Sequence, residues 1–182
     1  MMTQENADIT GVSLPRGFSV LSVTSWGADV LYRVYIQDSS VYFIPIGKQG
    51  VDGTFSFGIL SLASIFLMHR QSKDKHEAKK NAVSFDGKTP EELLVNPGSF
   101  KLTRDQFADC PIEPPGLPRG LSDLHAFRWF FRTPKGKKFE MRIEQVSDAK
   151  SLLHELQTQL GEQLNVNVKW DSQYHKFGKS KK

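Results

Sequence analysis

The stretch HAFRWFFRTPKGKKFEMRIEQ, residues 125–145, most constrains what this 182-residue chain can fold into. Apolar and polar residues alternate on both sides of the turn sequence TPKG. Because successive side chains of a strand point to opposite faces, this alternation predicts a β-hairpin with one apolar and one charged face. The apolar face carries Phe127, Trp129, Phe131, Phe139, Met141 and Ile143. Such a hairpin needs a core that covers this face.

An amphipathic helix is predicted directly after the hairpin. Its apolar stripe recurs at three- and four-residue spacing, as on one face of a helix. The stripe consists of Ala149, Leu152, Leu153, Leu156, Leu160 and Leu164. Gly161 lies within it and is a candidate helix end. We expect these leucines to be core residues.

The segments before the hairpin predict further strands and one short helix. Strand patterns begin at Gly17, and DVLYRVYI and VYFIPIG flank the turn residues QDSS. Pro45 cannot donate to a strand ladder, so it predicts a bulge or a sheet edge. In TPEELLVNPG, Thr89 and Glu92 form a capping box, and Pro97 ends the helix. The stretch SFKLTRDQFADCPIE predicts two short strands around a turn.

An apolar segment, TFSFGILSLASIFLMHR, occupies residues 54–70 and is followed by the basic, polar stretch QSKDKHEAKKN. As a helix, its 14-residue run from Phe55 to Met68 spans about 21 Å, against a hydrocarbon core of roughly 30 Å. The segment is therefore too short to cross a membrane comfortably. Three interpretations stay open: a buried core element, an element that lies on a membrane surface, and a protein-binding helix.

Charge and cysteine content narrow the class of protein. The net charge is +4, but five lysines and one aspartate after residue 168 account for all of it, so residues 1–168 sum to zero. This distribution disfavours nucleic acid as a partner. The single cysteine, Cys110, excludes an internal disulfide. The polar start MMTQENADITG does not look like a secretory signal, so we expect a cytoplasmic protein.

No motif for catalysis or metal binding stands out. P-loop, GxSxG, CxxC and HExxH patterns are absent from the sequence, and its five histidines share no ligand spacing. We therefore expect no cofactor, no metal and no enzymatic activity.

The order of elements resembles that of pleckstrin-homology-like domains, including bacterial and GRAM-type versions. The stretches that carry the resemblance are VLYRVYIQDSSVYFIPIG, TPEELLVNPGSFKLTRDQ and FRWFFRTPKGKKFEMRIEQVSDAKSLLHELQTQL. The resemblance implies an α+β fold: an antiparallel sheet or barrel with an apolar helical insertion and an amphipathic C-terminal helix. It also implies a binding scaffold. The family's lipid site uses basic residues between the first two strands, but neither TSWGAD nor QDSS contains one.

These observations predict a single domain over residues 17–165, with an apolar and basic insertion at 53–81. Residues 1–16 are predicted to be disordered, and residues 166–182 to form a flexible basic tail. We expect a non-catalytic adaptor that binds an anionic membrane surface or a partner protein. The alternative is a small-molecule-binding or catalytic domain in which residues 54–68 line an apolar pocket. Oligomeric state does not follow from the sequence.

Two sets of residues are candidates for the binding site. In the insertion, apolar anchors are followed by basic residues: Phe55, Ile59, Leu62, Phe66, Arg70, Lys73, Lys75, Lys79 and Lys80. The charged face and turn of the hairpin supply a second basic surface: Arg128, Arg132, Lys135, Lys137 and Lys138.

Overall fold

A computed structural model describes residues 14–23, 29–49, 77–107, 110–116, 125–143 and 146–180. The strands are β1 (Gly17–Val23), β2 (Asp29–Gln37), β3 (Ser40–Gln49), β4 (Phe100–Thr103), β5 (Cys110–Glu113), β6 (Phe127–Arg132), β7 (Lys138–Ile143), β8 (Leu164–Val166), β9 (Val168–Asp171) and β10 (Lys176–Lys179). The helices are α1 (residues 77–85), α2 (Pro90–Leu93) and α3 (Val146–Leu160), with short 3-10 turns at Arg104–Gln106 and Gly161–Gln163.

Eight strands form one mixed sheet in the order β4-β3-β2-β1-β7-β6-β5-β8, and β9 and β10 form a separate hairpin. Neighbouring strands of the large sheet are antiparallel, except that β5 and β8 are parallel. Phe43 on β3 lies 5.2 Å from Phe131 on β6, measured between ring centroids. Four strand spacings would separate them by about 19 Å in a flat sheet. The sheet is therefore curled into a half-barrel, and the fold is α+β.

The predicted hairpin and C-terminal helix together supply much of the main core. All six apolar side chains predicted for the hairpin are buried. In α3, Ala149, Leu152, Leu156 and Leu160 are fully buried, which confirms most of the predicted stripe. The helix ends at Leu160, directly before Gly161, whose φ of 57° suits glycine. Leu164, predicted as part of the stripe, instead begins β8.

Local features of β2, β3 and α2 also agree with the sequence. The register of β2 and β3 shifts between Leu31 and Tyr32, opposite the stretch that contains Pro45. This irregularity is the predicted bulge. The capping box of α2 is present, since Glu92 N–H donates to the Thr89 hydroxyl and Thr89 N–H donates to the Glu92 carboxylate.

A second layer covers the outer face of β2 and β3. Ala78 and Ala82 of α1 are buried against Ile46, and Leu93 of α2 is buried against Tyr35 and its neighbours. Residues 77–81, the described part of the predicted insertion at 53–81, belong to α1, which continues to residue 85 and packs on the sheet. Its alanines at i and i+4 let the helix approach the strands closely.

Directly after α1, an ionic cluster holds the chain to β2. The Asp86 carboxylate accepts hydrogen bonds from Arg33 Nε at 2.9 Å and from Arg33 Nη2 at 2.5 Å. The Tyr35 hydroxyl donates to the same carboxylate at 3.0 Å. Gly17 on β1 is required beside this cluster, because a Cβ there would lie 2.4 Å from Arg33 Nε.

The C-terminal segment differs from the predicted flexible tail, whereas residues 1–13 of the predicted disordered N-terminus lie outside the described residues. Residues 168–179 form the β9–β10 hairpin rather than a flexible tail, since Phe177 is buried against Phe127 and Trp170 packs on Phe177. Because lysines lie among these apolar residues, the segment looks like a charged tail and its strand pattern is not evident from the sequence. Near the N-terminus, Arg16 forms an ion pair with Asp148 of α3 at 2.8 Å.

Candidate binding surface

The turn between β6 and β7 projects a group of basic side chains from a hydrogen-bonded hairpin. Thr133 N–H donates to Lys137 O at 2.9 Å, and Gly136 N–H donates to Thr133 O at 2.8 Å. Gly136 adopts a φ of 79°, which a residue with a Cβ rarely adopts. The turn is therefore fixed by its own backbone hydrogen bonds.

Four exposed cations lie at this turn and define what we call the basic hairpin end: Arg132, Lys135, Lys137 and Lys138. The sequence has no acidic residue between positions 132 and 138. Within the part of the chain that the structure describes, none of the four forms an ion pair.

The strand register adds to the concentration of charge. Arg132 lies directly opposite Lys138 across the β6–β7 ladder. Like charges placed opposite each other destabilise a sheet, so this pair costs stability unless an anion neutralises it. Lys137 also contacts the fold, since its Nζ lies 4.6 Å from the centre of the Phe139 ring. The Arg132–Lys138 pair, by contrast, carries positive charge that the hairpin itself does not need.

Arg128, which the sequence assigns to the same basic surface, lies apart from it. Its side chain is half-buried, and its Nε donates to Pro114 O at 3.1 Å. Gly116 approaches it so closely that a Cβ there would lie 3.3 Å from the guanidinium. No local sequence pattern predicts this contact, because only the pairing of β5 with β6 brings the two segments together. Arg128 thus serves the fold.

The basic hairpin end lies at the opposite end of the sheet from the contacts of α3. The end of β1 lies near the hairpin end, because Val23 pairs with Glu140 close to the β6–β7 turn. β3 finishes at the same end of the sheet, at Gln49. Near the other end, the Gln159 side chain accepts a hydrogen bond from Ser39 N–H at 3.0 Å. The C-terminal helix therefore leaves the basic hairpin end uncovered.

The structure describes two of the nine residues predicted in the insertion. Lys79 and Lys80 are exposed on α1, on the side away from the buried Ala78 and Ala82. Val83 on the same helix is 77% exposed. The remaining seven lie outside the described residues: Phe55, Ile59, Leu62, Phe66, Arg70, Lys73 and Lys75.

Two groups with shifted pKa values, Tyr35 and Glu91, lie in the second layer, away from the basic hairpin end. Burial, reinforced by the hydrogen bond to Asp86, raises the pKa of Tyr35 well above its usual range. The hydrogen bond from the Tyr42 hydroxyl lowers the pKa of Glu91. Each shift follows from contacts that hold α2 or the end of α1 to the sheet.

Several kinds of site are not seen in the described ranges. No group of three or more His, Cys, Asp or Glu side chains there is placed to hold a metal ion. None of the helices in this part of the chain has the length and apolarity to cross a membrane. Cys110 is fully buried in the main core.

Comparison of the chain with protein-family models, with curated proteins and with solved structures finds no match.

Proposed function

We propose that this protein is a non-catalytic binding module that associates peripherally with an anionic membrane surface through the basic hairpin end. The observation that carries the proposal is the group of four exposed cations, without ion pairs among the described residues, on a hydrogen-bonded turn. The exposed Lys79 and Lys80 add to the positive charge of the molecule.

The expected affinity can be worked out from the charges. A basic residue near an anionic membrane contributes about 1 kcal/mol, so four contribute about 4 kcal/mol. This free energy corresponds to a preference of roughly a thousandfold for an anionic over a neutral surface. Electrostatic attraction of this size gives weak, reversible binding that salt screens.

Stable peripheral binding needs a second, apolar contribution. We propose that the anchors predicted in the sequence, Phe55, Ile59, Leu62 and Phe66, supply it. Their segment is flanked by described residues near the basic hairpin end: β3 finishes there at Gln49, and Ala78 of α1 packs on Ile46.

The architecture supports a binding role. A curled sheet with an amphipathic C-terminal helix agrees with the scaffold that the resemblance to pleckstrin-homology-like domains implies. The first loops of the sequence lack basic residues, which argues against the family's usual lipid site, so we propose the β6–β7 turn instead.

Liposome co-sedimentation tests the proposal, with vesicles of phosphatidylcholine alone or mixed with phosphatidylserine, at low and high salt. We expect binding that requires phosphatidylserine and weakens with salt. The variant R132Q/K135Q/K137Q/K138Q should lose it. The matched control K88Q/K169Q/K176Q/K179Q removes four exposed charges elsewhere and should retain most of it.

Three results would contradict the proposal in different ways. Equal loss in both quadruple variants would mean that overall charge, not the basic hairpin end, determines binding. Full binding after serine substitution of the four apolar anchors would exclude them as the second contribution. No sedimentation of the unaltered protein with any vesicle would exclude the membrane and direct the search to a partner protein.

A further inference from the structure

Two of the four cations of the basic hairpin end lie side by side on one face of the sheet. Arg132 of β6 is directly opposite Lys138 of β7 in the strand register. Their chain neighbours Phe131 and Phe139 are buried in the main core, so both cations project from the opposite, outer face. Directly opposite residues of an antiparallel pair have Cβ atoms about 4.5–5.5 Å apart, so both side chains reach the same anion. We call these two residues the cation pair.

The other two cations of the turn are placed differently. The Nζ atom of Lys137 lies 4.6 Å from the centre of the Phe139 ring, beside the main core. Lys135 lies within the turn itself. Neither lysine belongs to a strand, so neither faces a second cation across the β6–β7 ladder. The four cations therefore divide into the cation pair and two separate charges.

The acidic residue beside the cation pair on β7 is already paired within the fold. Glu140 is two positions after Lys138, so it projects from the same face. Its Oε1 accepts a hydrogen bond from Arg142 Nε at 3.0 Å, and its side chain is 25% exposed. Glu140 therefore leaves the cation pair without a counter-charge. The two opposed like charges destabilise the ladder until an anion lies between them.

The backbone beneath the cation pair is fixed before any ligand arrives. Thr133 N–H donates to Lys137 O at 2.9 Å, and Gly136 N–H donates to Thr133 O at 2.8 Å. These bonds join the two strands directly after the cation pair, so the backbone spacing of its two residues is maintained.

The number and kind of the charges select the class of anion. A guanidinium binds two oxygens of a phosphate through parallel hydrogen bonds, and an ammonium group binds a further oxygen as a point charge. A phosphomonoester carries a charge of about −1.5 to −2 at neutral pH, which two cations match. A phosphodiester or a carboxylate carries a single negative charge and leaves one cation of the pair unmatched.

We propose that the cation pair binds the dianion of a phosphomonoester, as in the headgroup of phosphatidic acid, in preference to singly charged headgroups. The Arg132 guanidinium donates to two phosphate oxygens, and the Lys138 ammonium group donates to the third. This inference rests on the proposed function, because it names the headgroup that the basic hairpin end selects at an anionic membrane. Lys135 and Lys137 attract the membrane without selecting the headgroup.

Liposome co-sedimentation with vesicles of matched surface charge tests this inference on the full chain. One set of vesicles contains phosphatidylcholine and phosphatidic acid, and the other contains phosphatidylcholine and phosphatidylserine. Their mole fractions are adjusted until both sets have the same zeta potential. We expect the unaltered protein to bind the phosphatidic acid vesicles about tenfold more tightly, since the dianion forms an additional charge-assisted hydrogen bond.

Two double variants, each lacking two charges of the same turn, separate selection from attraction. R132Q/K138Q should bind both sets of vesicles equally, because the cation pair is lost. K135Q/K137Q should bind both sets more weakly but should keep the preference for phosphatidic acid. The melting temperature of R132Q/K138Q should be unchanged or higher, since two opposed like charges are removed. A loss of preference in this variant then does not reflect unfolding.

A soluble phosphomonoester is distinguished from a lipid headgroup by NMR titration of the ¹⁵N-labelled full chain with glycerol 3-phosphate. For a lipid headgroup, we expect weak shifts of the backbone amides around the turn, which R132Q/K138Q should abolish. Saturation by glycerol 3-phosphate at concentrations at which phosphatidic acid vesicles do not bind would overturn the assignment to a lipid and assign the cation pair to a soluble phosphomonoester.

The inference and the proposed function fail in different ways. Equal binding of the two sets of vesicles by the unaltered protein would overturn the inference and leave the proposed function intact. A preference for phosphatidic acid that persists in R132Q/K138Q, or that is lost equally in K135Q/K137Q, would also overturn it. Absence of binding to both sets would instead contradict the proposed function itself.

Discussion

Replacing Asp86 by alanine tests whether the ionic cluster holds the end of α1 to the sheet. The substitution removes the carboxylate that accepts two hydrogen bonds from Arg33 and one from Tyr35. Arg33 would keep its hydrogen bond to Ser19 Oγ at 3.0 Å but would lose its counter-charge. The prediction is a loss of stability with the sheet itself intact.

The magnitude follows from the exposure of the two partners. Removing one partner of a fully buried pair costs about 3–5 kcal/mol, whereas an exposed pair is worth about 0–1 kcal/mol. The Arg33 side chain is 14% exposed and that of Asp86 is 39% exposed, so the pair lies between these limits. We expect Asp86→Ala to lower the free energy of unfolding by about 2 kcal/mol. For a chain of this length, that corresponds to a melting temperature lower by about 4–8 °C.

Urea and thermal unfolding, followed by circular dichroism, measure this loss. Glu162→Ala, an exposed acid after α3, is the control and should change little. The double variant R33M/D86A should be less destabilised than the sum of the single variants by about 1 kcal/mol, since no unpaired charge is left. Strict additivity, or a loss below about 0.5 kcal/mol in Asp86→Ala, would refute the assigned role of the cluster.

Two further predictions concern the core and the second layer. Leu156→Asp places a charge in the fully buried face of α3 and should abolish cooperative unfolding. The control Gln157→Asp, on the exposed face of the same helix, should melt almost normally. A normal thermal melt of Leu156→Asp would contradict the assignment of this face to the core. Tyr42→Phe removes the hydrogen bond that lowers the pKa of Glu91. In the unaltered protein, the lowered pKa stabilises the fold above the ordinary pKa of a glutamate, and this stabilisation is lost as pH falls through the lowered value. Tyr42→Phe should therefore be less stable than the unaltered protein at neutral pH, and urea unfolding should show the difference vanish in acid; a difference that persists in acid would exclude this origin.

Features with a local cause were readable from the sequence. The hairpin follows from alternation within 17 residues, and the capping box of α2 from Thr89 and Glu92, which are three positions apart. The bulge near Pro45 follows from the missing amide hydrogen of proline. In each case the residues that determine the structure lie close together in the chain.

Features that depend on distant contacts were not readable. Ala78 and Ala82 look like ordinary residues of a basic, solvated helix until the outer face of β2 and β3 is placed beneath them. The parallel pairing of β5 with β8 joins Cys110 to Leu164, and no local periodicity specifies it. The surface depression beside the β2–β3 turn likewise combines segments that are up to 125 positions apart, from Asp38 to Gln163.

The position of β1 in the sheet has a consequence for synthesis of the protein on the ribosome. β1 is made first, yet it pairs with β7, where Leu21 meets Arg142, and its core face is covered by α3. The ribosome adds the 57 residues from Arg104 to Leu160 in about 3–11 s. During that interval, the apolar faces of Phe18, Val34 and Phe43 have no cover from the second half of the chain. Nascent chains halted after β4 would therefore expose an aggregation-prone sheet, so the yield of native protein should depend on how rapidly translation proceeds through this interval.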